Sequence, residues 1–274
     1  MPKGGSVVLD ALDTARRAAL AGARALESRT SDQGERRSKS SATDFVTEAD
    51  IASGVAVVQE IAARRPGARF VIEEDEVYDL ASAPRGAVDD PEVWVIDPLD
   101  GTTSFIHGFP CYSVSVACLR AGQPVAGAVF DVARQEMHSA ATGNGANRDG
   151  APVQVSAAAA LSDALLVTGF PYDRGKPLDR QLAVLAGYLR APVHGIRRDG
   201  SAAVDCCHVA SGRADGFWEY GLKPWDMAAG VVILREAGAT ITDVDGRPWT
   251  AHSMSICAAG PSLQPRMLEL IAGV

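Results

Sequence analysis

The sequence lacks long apolar runs and has fewer basic than acidic residues, and these features exclude several classes of protein. No stretch approaches the roughly 20 apolar residues of a membrane-spanning helix, and the N-terminus has no signal-peptide pattern. The 26 Lys and Arg residues against 34 Asp and Glu give a net charge of −8. Such a chain is poorly suited to nonspecific binding of nucleic acid. We therefore expect neither a membrane protein nor a nucleic-acid-binding one.

Cysteine is also scarce, and its pattern argues against a disulfide framework or a zinc site. The five cysteines have no Cys-x-x-Cys spacing and stand in apolar surroundings, and two of them, Cys206 and Cys207, are adjacent. His107 and His138 likewise lack the spacing of metal ligands. An odd number of cysteines in these settings favours reduced thiols and a cytoplasmic protein.

The chain does have enough apolar material for a large core, since 47% of its 274 residues are hydrophobic. Two helical patterns, residues 6–29 and 48–64, precede strand patterns at residues 112–119, 124–131 and 135–140. A long antiparallel run after two helices predicts an α+β fold and not a doubly wound parallel sheet. Because residues 112–119 alternate between larger apolar and small or polar side chains, that strand is expected to be half-buried.

The remainder of the chain alternates strand and helix patterns, with strands at residues 164–168 and 215–220 and a helix at residues 177–190. We expect an N-terminal α+β half, residues 1–150, to carry the principal motif. A C-terminal α/β half, residues 151–274, should complete the site within one compact unit.

The most informative stretch is the strand pattern Val93–Ile96 and the turn that follows it. Asp97 and Asp100 lie three residues apart around this turn, and two ionised carboxylates so close repel each other unless a cation lies between them. Carboxylates, a backbone carbonyl and a hydroxyl suit Mg2+. The amides of residues 101–103, at the start of a short predicted helix, would donate hydrogen bonds to a phosphate. Asp-Pro and Asp-Gly alone are common turn dipeptides, but the whole run after a buried strand predicts a metal and phosphate site.

Three other acidic residues each have a structural and a functional interpretation. Thr47 and Asp50 fit a capping box at the start of a helix. Glu73 directly follows a predicted strand, so its carboxylate could face the same sheet edge as Asp97. Asp226 stands at a helix start, where an acidic side chain is electrostatically favoured in any case. Residues 75–92 are predicted to form a solvated loop without a chemical role.

Several positions elsewhere could line a pocket. Asp199 and Ser201 suit a helix N-terminus, which is electropositive and could face an anion, although an ordinary capped helix has the same pattern. Residues 169–174 form a turn of the kind that lines pockets. Glu219 is typical of a strand edge, and Lys39 lies in a polar loop where a lone lysine is usually solvated.

Two motifs carry a resemblance that covers about residues 6–272. The run Asp97–Thr103 resembles the first signature of the inositol monophosphatase family, a group of magnesium-dependent, lithium-sensitive phosphatases of sugars and polyols. Residues 225–230, Trp-Asp-Met-Ala-Ala-Gly, resemble its second signature. The chain departs from the family pattern at Ile72, where glycine is usual, and at Ser104, where asparagine is common. The resemblance implies a layered αβαβα sandwich with largely antiparallel sheets, a site between two halves and, commonly, a homodimer.

The resemblance also implies a role for each matching residue. The implied ligands of two or three Mg2+ ions are Glu73, Asp97, the Leu99 carbonyl, Asp100 and Asp226. The implied catalytic residues, which act on the attacking water, are Glu73, Thr102 and Asp50. The implied substrate contacts are Lys39, Asp100, Gly101, Thr102, Thr103, Gly200, Ser201, Ala202 and Glu219.

The implied function is Mg2+-dependent hydrolysis of a small phosphate monoester, with inositol 1-phosphate or a related polyol or sugar phosphate as the expected substrate. No covalent phosphoenzyme is needed, so no nucleophilic side chain is assigned. Fructose 1,6-bisphosphate, histidinol phosphate and a 3′-phosphonucleotide are alternative substrates within the family. A protein of another class could keep the metal and phosphate cage without turnover, but the water-positioning pair of Thr102 and Asp50 counts against it.

Overall fold

The computed structural model describes residues 3–29, 37–38 and 45–274, and this part of the chain forms eight α-helices and fourteen strands. The helices are α1 (Lys3–Glu27), α2 (Glu48–Arg64), α3 (Asp75–Leu80), α4 (Thr102–His107), α5 (Lys176–Arg190), α6 (Ala202–Ala210), α7 (Pro224–Glu236) and α8 (Gln264–Ala272). The strands are β1 (Arg37–Ser38), β2 (Phe45–Val46), β3 (Phe70–Ile72), β4 (Val93–Asp100), β5 (Ser113–Arg120), β6 (Gln123–Asp131), β7 (Glu136–Ala141), β8 (Ala146–Arg148), β9 (Ala151–Val153), β10 (Leu165–Thr168), β11 (Gly195–Arg197), β12 (Gly216–Tyr220), β13 (Thr240–Thr242) and β14 (Ser255–Ala259).

Seven strands form the larger sheet, in the order β3-β4-β5-β6-β7-β8-β9. β3 and β4 are parallel, and every following pair is antiparallel. Short turns connect β5, β6 and β7, as antiparallel neighbours allow. The strands predicted at residues 112–119, 124–131 and 135–140 are therefore confirmed as β5, β6 and β7.

Five strands form the smaller sheet, in the order β11-β10-β12-β14-β13. β10 is parallel to both β11 and β12, whereas β14 is antiparallel to β12 and β13. α5 links β10 to its neighbour β11, and α6 links β11 to β12 on the other side of β10. Both connections join parallel strands, which need a long crossover.

The sheets and helices stack in five layers. α1 and α2 pack on the outer face of the larger sheet, α6 and α7 lie between the sheets, and α5 and α8 cover the outer face of the smaller sheet. Three clusters of buried hydrophobic residues hold these layers together. The predicted α+β fold, an αβαβα sandwich with largely antiparallel sheets, is confirmed.

The middle helical layer makes β5 more buried than its sequence suggests. Ser113, Ser115 and Ala117 alternate with larger apolar residues, which predicted one face in water. In the structure residues 113–119 are all buried, because α1 packs on one face of the sheet and α7 on the other. The Ser115 hydroxyl donates a hydrogen bond to the Trp225 carbonyl oxygen at 3.3 Å. The half-buried interpretation was wrong, since the small side chains here permit close helix packing.

A helix, α3, replaces part of the loop predicted for residues 75–92. Asp75 and Glu76 occupy its first turn, where acidic side chains are stabilised by the positive end of the helix dipole. Val77 and Tyr78 are buried, and the packing of these two side chains stabilises the helix. The acidic residues before them had indicated a solvated loop.

All five cysteines are free and buried in the structure. Burial raises the pKa of the Cys118 and Cys257 thiols to about 12, so neither is an effective nucleophile near neutral pH. Each helix in the described part of the chain is too short or too polar to cross a bilayer.

Candidate active site

The parallel pairing of β3 and β4 brings two predicted metal ligands to one edge of the larger sheet. Ile72 pairs with Ile96, so Glu73 and Asp97, the next residue along each strand, lie side by side. The Glu73 amide donates a hydrogen bond to the Ile96 carbonyl oxygen at 3.2 Å, which fixes this register. β4 was predicted to stop at Asp97, but it continues to Asp100 with a shift in register between the two aspartates. Such an irregularity redirects side chains at the end of a strand.

Ile72 shows why the usual family glycine is not required in this chain. Its amide donates a hydrogen bond to the Tyr78 hydroxyl at 2.8 Å, and its side chain is buried within regular β3. Glycine is needed where the backbone has a positive φ or cannot accommodate a Cβ, and Ile72 is not among the residues with positive φ. The departure therefore leaves Glu73 beside Asp97.

Asp226 reaches the same corner from the middle helical layer. The Lys223 amide donates a hydrogen bond to Asp226 Oδ2 at 2.7 Å, so this carboxylate caps the start of α7. Asp226 nevertheless lies within electrostatic reach of Glu73, Asp97 and Asp100. Both sequence interpretations of Asp226, the helix cap and the member of an acidic cluster, describe what the structure contains.

The corner formed by Glu73, Asp97, Asp100 and Asp226, here called the acidic corner, is electrostatically unfavourable by itself. Burial raises the pKa of Asp97 well above its ordinary value, and the other three carboxylates raise it further. A hydrogen bond between the Asp97 and Glu73 carboxyls also raises the pKa of Asp97, and such a bond requires a proton between them. Burial likewise raises the pKa of Asp226, with Glu73 and Asp100 as the next causes. The acidic corner therefore favours added positive charge, supplied either by protons or by a cation.

The donor set suits a hard divalent cation, although the side chains do not already form a cage. Carboxylates and the Leu99 carbonyl are oxygen ligands of the kind that Mg2+ prefers. In the part of the chain that the structure describes, no three His, Cys, Asp or Glu side chains are arranged to hold a metal. Backbone donors explain this arrangement, because the Leu99 amide binds Asp97 Oδ1 at 3.0 Å and the Lys223 amide binds Asp226. A cation would have to draw these carboxylates away from their present donors.

A hydroxyl and a carboxylate lie together beside the acidic corner. The Thr102 hydroxyl oxygen lies 3.0 Å from Asp50 Oδ1 and 3.1 Å from the Leu99 carbonyl oxygen. Both neighbours are acceptors, so the one hydroxyl proton is donated to one of them and the oxygen lone pairs can accept a hydrogen bond from water. The other Asp50 oxygen accepts the Thr47 amide at 2.8 Å, and the predicted capping box is present in full. Asp50 is therefore both a helix cap and the partner of Thr102.

The turn before α4 leaves backbone donors at the helix start. Gly101 adopts a φ of +99°, and a Cβ there would lie 2.8 Å from the Cys111 carbonyl oxygen, so this position requires glycine. As the residue before the helix, Gly101 offers no side chain to accept the first-turn amides. The amides of Thr102 and Thr103 can therefore donate to an anion.

Asp100 joins the two halves of the chain. Its Oδ2 accepts hydrogen bonds from the Ser201 hydroxyl at 2.6 Å and from the Ala203 amide at 2.7 Å. Burial raises the pKa of Asp100 to about 6, against the opposing effect of these two bonds. Ser104, the second departure from the family pattern, adds a further link, since its hydroxyl donates to the Asp199 carbonyl oxygen at 3.4 Å.

A partly open cleft adjoins the acidic corner, and it is lined mainly by polar and charged residues and by backbone. Residues 169–172 belong to its lining, as expected for the turn predicted there. The predicted site residues that line the cleft are Asp100, Gly101, Gly200, Ser201, Ala202, Glu219 and Asp226.

Glu219 contributes a further buried carboxylate to the cleft. It lies on β12, an internal strand of the smaller sheet, so the strand-edge interpretation was wrong. Burial raises the pKa of Glu219 to about 8 and Asp100 adds to this effect, whereas Arg198 and the Gly169 amide oppose it. A Cβ on Gly169 would overlap the Glu219 carboxylate, so this glycine makes room for the acid.

Two charged residues of the cleft were not identified from the sequence. Asp205 in α6 and Arg198 just before that helix both line the cleft. Asp205 belongs to no motif, and its only sequence signal is its position one turn after Ser201, on the same helix face. Of the other predicted substrate contacts, Thr103 lies in the first turn of α4, and Lys39 lies outside the described residues.

The five-layered fold and its acidic cleft, with backbone donors for an anion, define a phosphoric monoester hydrolase. Comparison with known proteins agrees with this class. The sequence pattern of the inositol monophosphatase family matches residues 8–274. The chain therefore belongs to the inositol monophosphatase family.

Individual relatives and solved structures are similar over most of their length. An inositol-1-monophosphatase from Synechocystis sp. is 42% identical over 234 residues, covering 85% of this chain and 79% of the relative. A Nus factor SuhB from Pseudomonas aeruginosa is 41% identical over 211 residues, covering 75% and 74%. The structure of an inositol monophosphatase from Anabaena (Nostoc) sp. has 37% sequence identity and a TM-score of 0.84, covering 96% of this chain and 95% of that one.

Proposed function

We propose that this protein hydrolyses a small phosphate monoester in a Mg2+-dependent reaction, with inositol 1-phosphate or a related polyol or sugar phosphate as its substrate. The observation that carries the proposal is the convergence of four acidic side chains, from the ends of two strands and from a helix, on one corner beside an open cleft. The relatives named inositol-1-monophosphatase support the choice of substrate.

Cation binding is assigned to the acidic corner. The residues that would hold Mg2+ are Glu73, Asp97, the Leu99 carbonyl, Asp100 and Asp226. Bound Mg2+ would lower the pKa of a coordinated water and stabilise the leaving alkoxide. Its charge would also offset the mutual repulsion that raises the pKa values of Asp97 and Asp226 in the chain alone.

Thr102 and Asp50 are assigned to the attacking water. The single Thr102 hydroxyl proton is donated to Asp50 or to the Leu99 carbonyl, so its oxygen would accept a hydrogen bond from the water and fix the direction of attack. Glu73, beside Asp97, would accept the proton that this water loses. The amides of Gly101, Thr102 and Thr103 would bind the phosphate oxygens and stabilise charge as it develops.

The alcohol part of the substrate is assigned to the opposite end of the cleft. Its contacts would be Gly200, Ser201, Ala202 and Glu219, together with Asp100 on the side of the acidic corner. Lys39, which lies outside the described residues, is proposed as a further substrate contact. This arrangement supports the division into halves 1–150 and 151–274 that act as one unit, because Asp100 of the first half binds Ser201 and Ala203 of the second.

A panel of phosphate monoesters tests this proposal. Phosphate release would be measured with and without Mg2+ on inositol 1-phosphate, fructose 1,6-bisphosphate, histidinol phosphate and a 3′-phosphonucleotide. We expect inositol 1-phosphate to be preferred and Asp97→Asn to abolish turnover while leaving the fold intact. Asp131→Asn is the matched control, because Asp131 is equally buried but binds Arg134; it should keep its activity. Near-wild-type turnover in Asp97→Asn would contradict the assigned site.

Lithium gives a second test of the cation assignment. Lithium competing for one of the ion positions should inhibit the enzyme when Mg2+ is present, and inhibition should weaken as Mg2+ is raised. Full activity in lithium would remove this part of the proposal without removing the hydrolase.

A second candidate is a binding protein that keeps the cleft without useful turnover. Relatives named Nus factor SuhB favour it. Mg2+-dependent turnover of any monoester in the panel would exclude a purely non-catalytic role. The homodimer that the family resemblance implies stays a prediction, which light scattering on the purified chain would test.

A further inference from the structure

We propose that Asp205 is a further substrate-binding residue, which hydrogen-bonds a hydroxyl on the alcohol part of the substrate that Glu219 does not bind. This inference rests on the proposed phosphatase function, and it makes the cleft selective for phosphate monoesters of alcohols with several hydroxyls.

The first observation is the position of Asp205 on α6. Ser201 precedes this helix and binds Asp100, and Asp205 follows one turn later on the same face. Asp205 lines the cleft together with Glu219 and Arg198. Ser201, at the start of α6, is therefore directed to Asp100 in the acidic corner, and Asp205, one turn later, toward the alcohol end of the cleft.

The second observation is that Asp205 is buried without a complete set of partners. The residue is 1% exposed, and its Oδ1 has no hydrogen-bond partner within the described chain. A buried carboxyl oxygen without a partner is costly, because it has lost its hydration and gained nothing in return. Because Asp205 lines the cleft, a ligand bound there can supply a hydrogen bond to this carboxyl group.

The surroundings of Asp205 indicate the kind of ligand group. Burial raises the pKa of Asp205, the carboxylates of Glu219, Asp199 and Asp100 raise it further, and only Arg198 opposes them among the leading causes. A second anion on the substrate would add to this repulsion. A hydroxyl does not, because it donates to a carboxylate and accepts from a protonated carboxyl. Neutral hydroxyls are therefore the group that this end of the cleft accommodates.

The test compares substrates that differ in hydroxyls on the leaving alcohol. Wild type, Asp205→Ala and Asp205→Asn would be assayed with Mg2+ on inositol 1-phosphate, and on p-nitrophenyl phosphate, whose alcohol carries no further hydroxyl. We expect Asp205→Ala to raise KM for inositol 1-phosphate about tenfold, as loss of one hydrogen bond does. The kcat/KM for p-nitrophenyl phosphate should stay within about twofold of wild type, and Asp205→Asn should restore much of the loss because its amide oxygen still accepts.

Cys207→Ala is the control for packing of α6, since Cys207 is buried on the same helix but does not line the cleft. It should lower the melting temperature without altering the ratio of activities on the two substrates. Equal losses on both substrates in Asp205→Ala, or no loss on either, would overturn the proposal.

The proposed function can fail separately, and this would show as no Mg2+-dependent phosphate release by wild type from either substrate. Binding would then decide the role of Asp205 alone. Inositol 1-phosphate with Mg2+ should raise the melting temperature of wild type more than that of Asp205→Ala, and equal shifts would refute the role.

Discussion

Replacing Glu219 by glutamine should make the cation-free protein more stable at alkaline pH. Burial and Asp100 raise the pKa of Glu219 to about 8 from an ordinary value of 4.5. Between these two pH values the unfolded chain releases the Glu219 proton while the folded chain keeps it. Folding stability is therefore lost as pH rises from 4.5 through 8. Glutamine has the shape of the protonated acid, and it removes this loss.

The size of the effect follows from the two pKa values. A difference of one pKa unit corresponds to about 1.4 kcal/mol, so the full difference sets an upper limit of about 5 kcal/mol. Solvent in the open cleft reduces this limit. We expect Glu219→Gln to gain about 2 to 4 kcal/mol over wild type between pH 5 and pH 8. The amide of Gly169 keeps an acceptor, because the glutamine side chain also presents an oxygen.

Urea unfolding of both proteins in a chelator, at pH 5 and pH 8, measures this gain. The two proteins should be similar at pH 5 and differ at pH 8. Added Mg2+ should narrow the difference, because positive charge in the acidic corner offsets the field of Asp100 at Glu219. Stability curves that run parallel across this pH range would refute the reasoning that the acid is buried and protonated.

Three further predictions concern other parts of the site and the core. Gly169→Ala should raise KM for inositol 1-phosphate several-fold with a stability cost of only about 1 kcal/mol, because the added methyl displaces the movable Glu219 carboxylate; an unchanged KM would contradict this. Thr102→Ala should lower kcat about a hundredfold or more, and Thr102→Ser should retain most of it, if the hydroxyl orients the water; equal kcat values in the two variants would argue against that role. Burial lowers the pKa of His138 and of His208 to about 4, so the unfolded chain takes up protons first as pH falls below 6.5 and stability is lost toward pH 4. His138→Gln should therefore lose about 2 kcal/mol less than wild type between pH 7 and pH 5 in urea unfolding, and an equal loss would show that the imidazole is not buried neutral.

Most of the acidic corner could be predicted because each of its residues except Asp226 stands in a recognisable local pattern. Glu73 and Asp97 each follow an apolar run in the sequence, and the parallel pairing of β3 and β4 brings them together. Gly101 marks the turn that leads into α4. Asp226 could be placed there only through the family motif, because its position at a helix start has an adequate structural explanation.

The features that the sequence did not reveal depend on contacts between distant elements. The polarity of Ser113 and Ser115 predicts exposure to solvent, yet Ser115 contacts Trp225 of α7 and Ser113 contacts Ser201. Glu219 resembles an edge residue until β12 is seen between β10 and β14. Asp205 has only a weak local signal, its position one turn after Ser201, because its significance comes from the cleft that it lines together with residues distant in sequence.

The two walls of the cleft differ in how freely they can change. Asp226 stands at the start of a helix whose residues from Met227 to Leu234 are all buried between the sheets, so an adjustment there would disturb packing on both sides. Residues 169–172 and Arg198, by contrast, lie in connecting segments, and Tyr172 and Arg198 are exposed. Substitutions in these segments could therefore alter which alcohol is accepted while the residues assigned to hydrolysis stay unchanged. A scaffold of this kind can acquire new substrates and keep the same reaction.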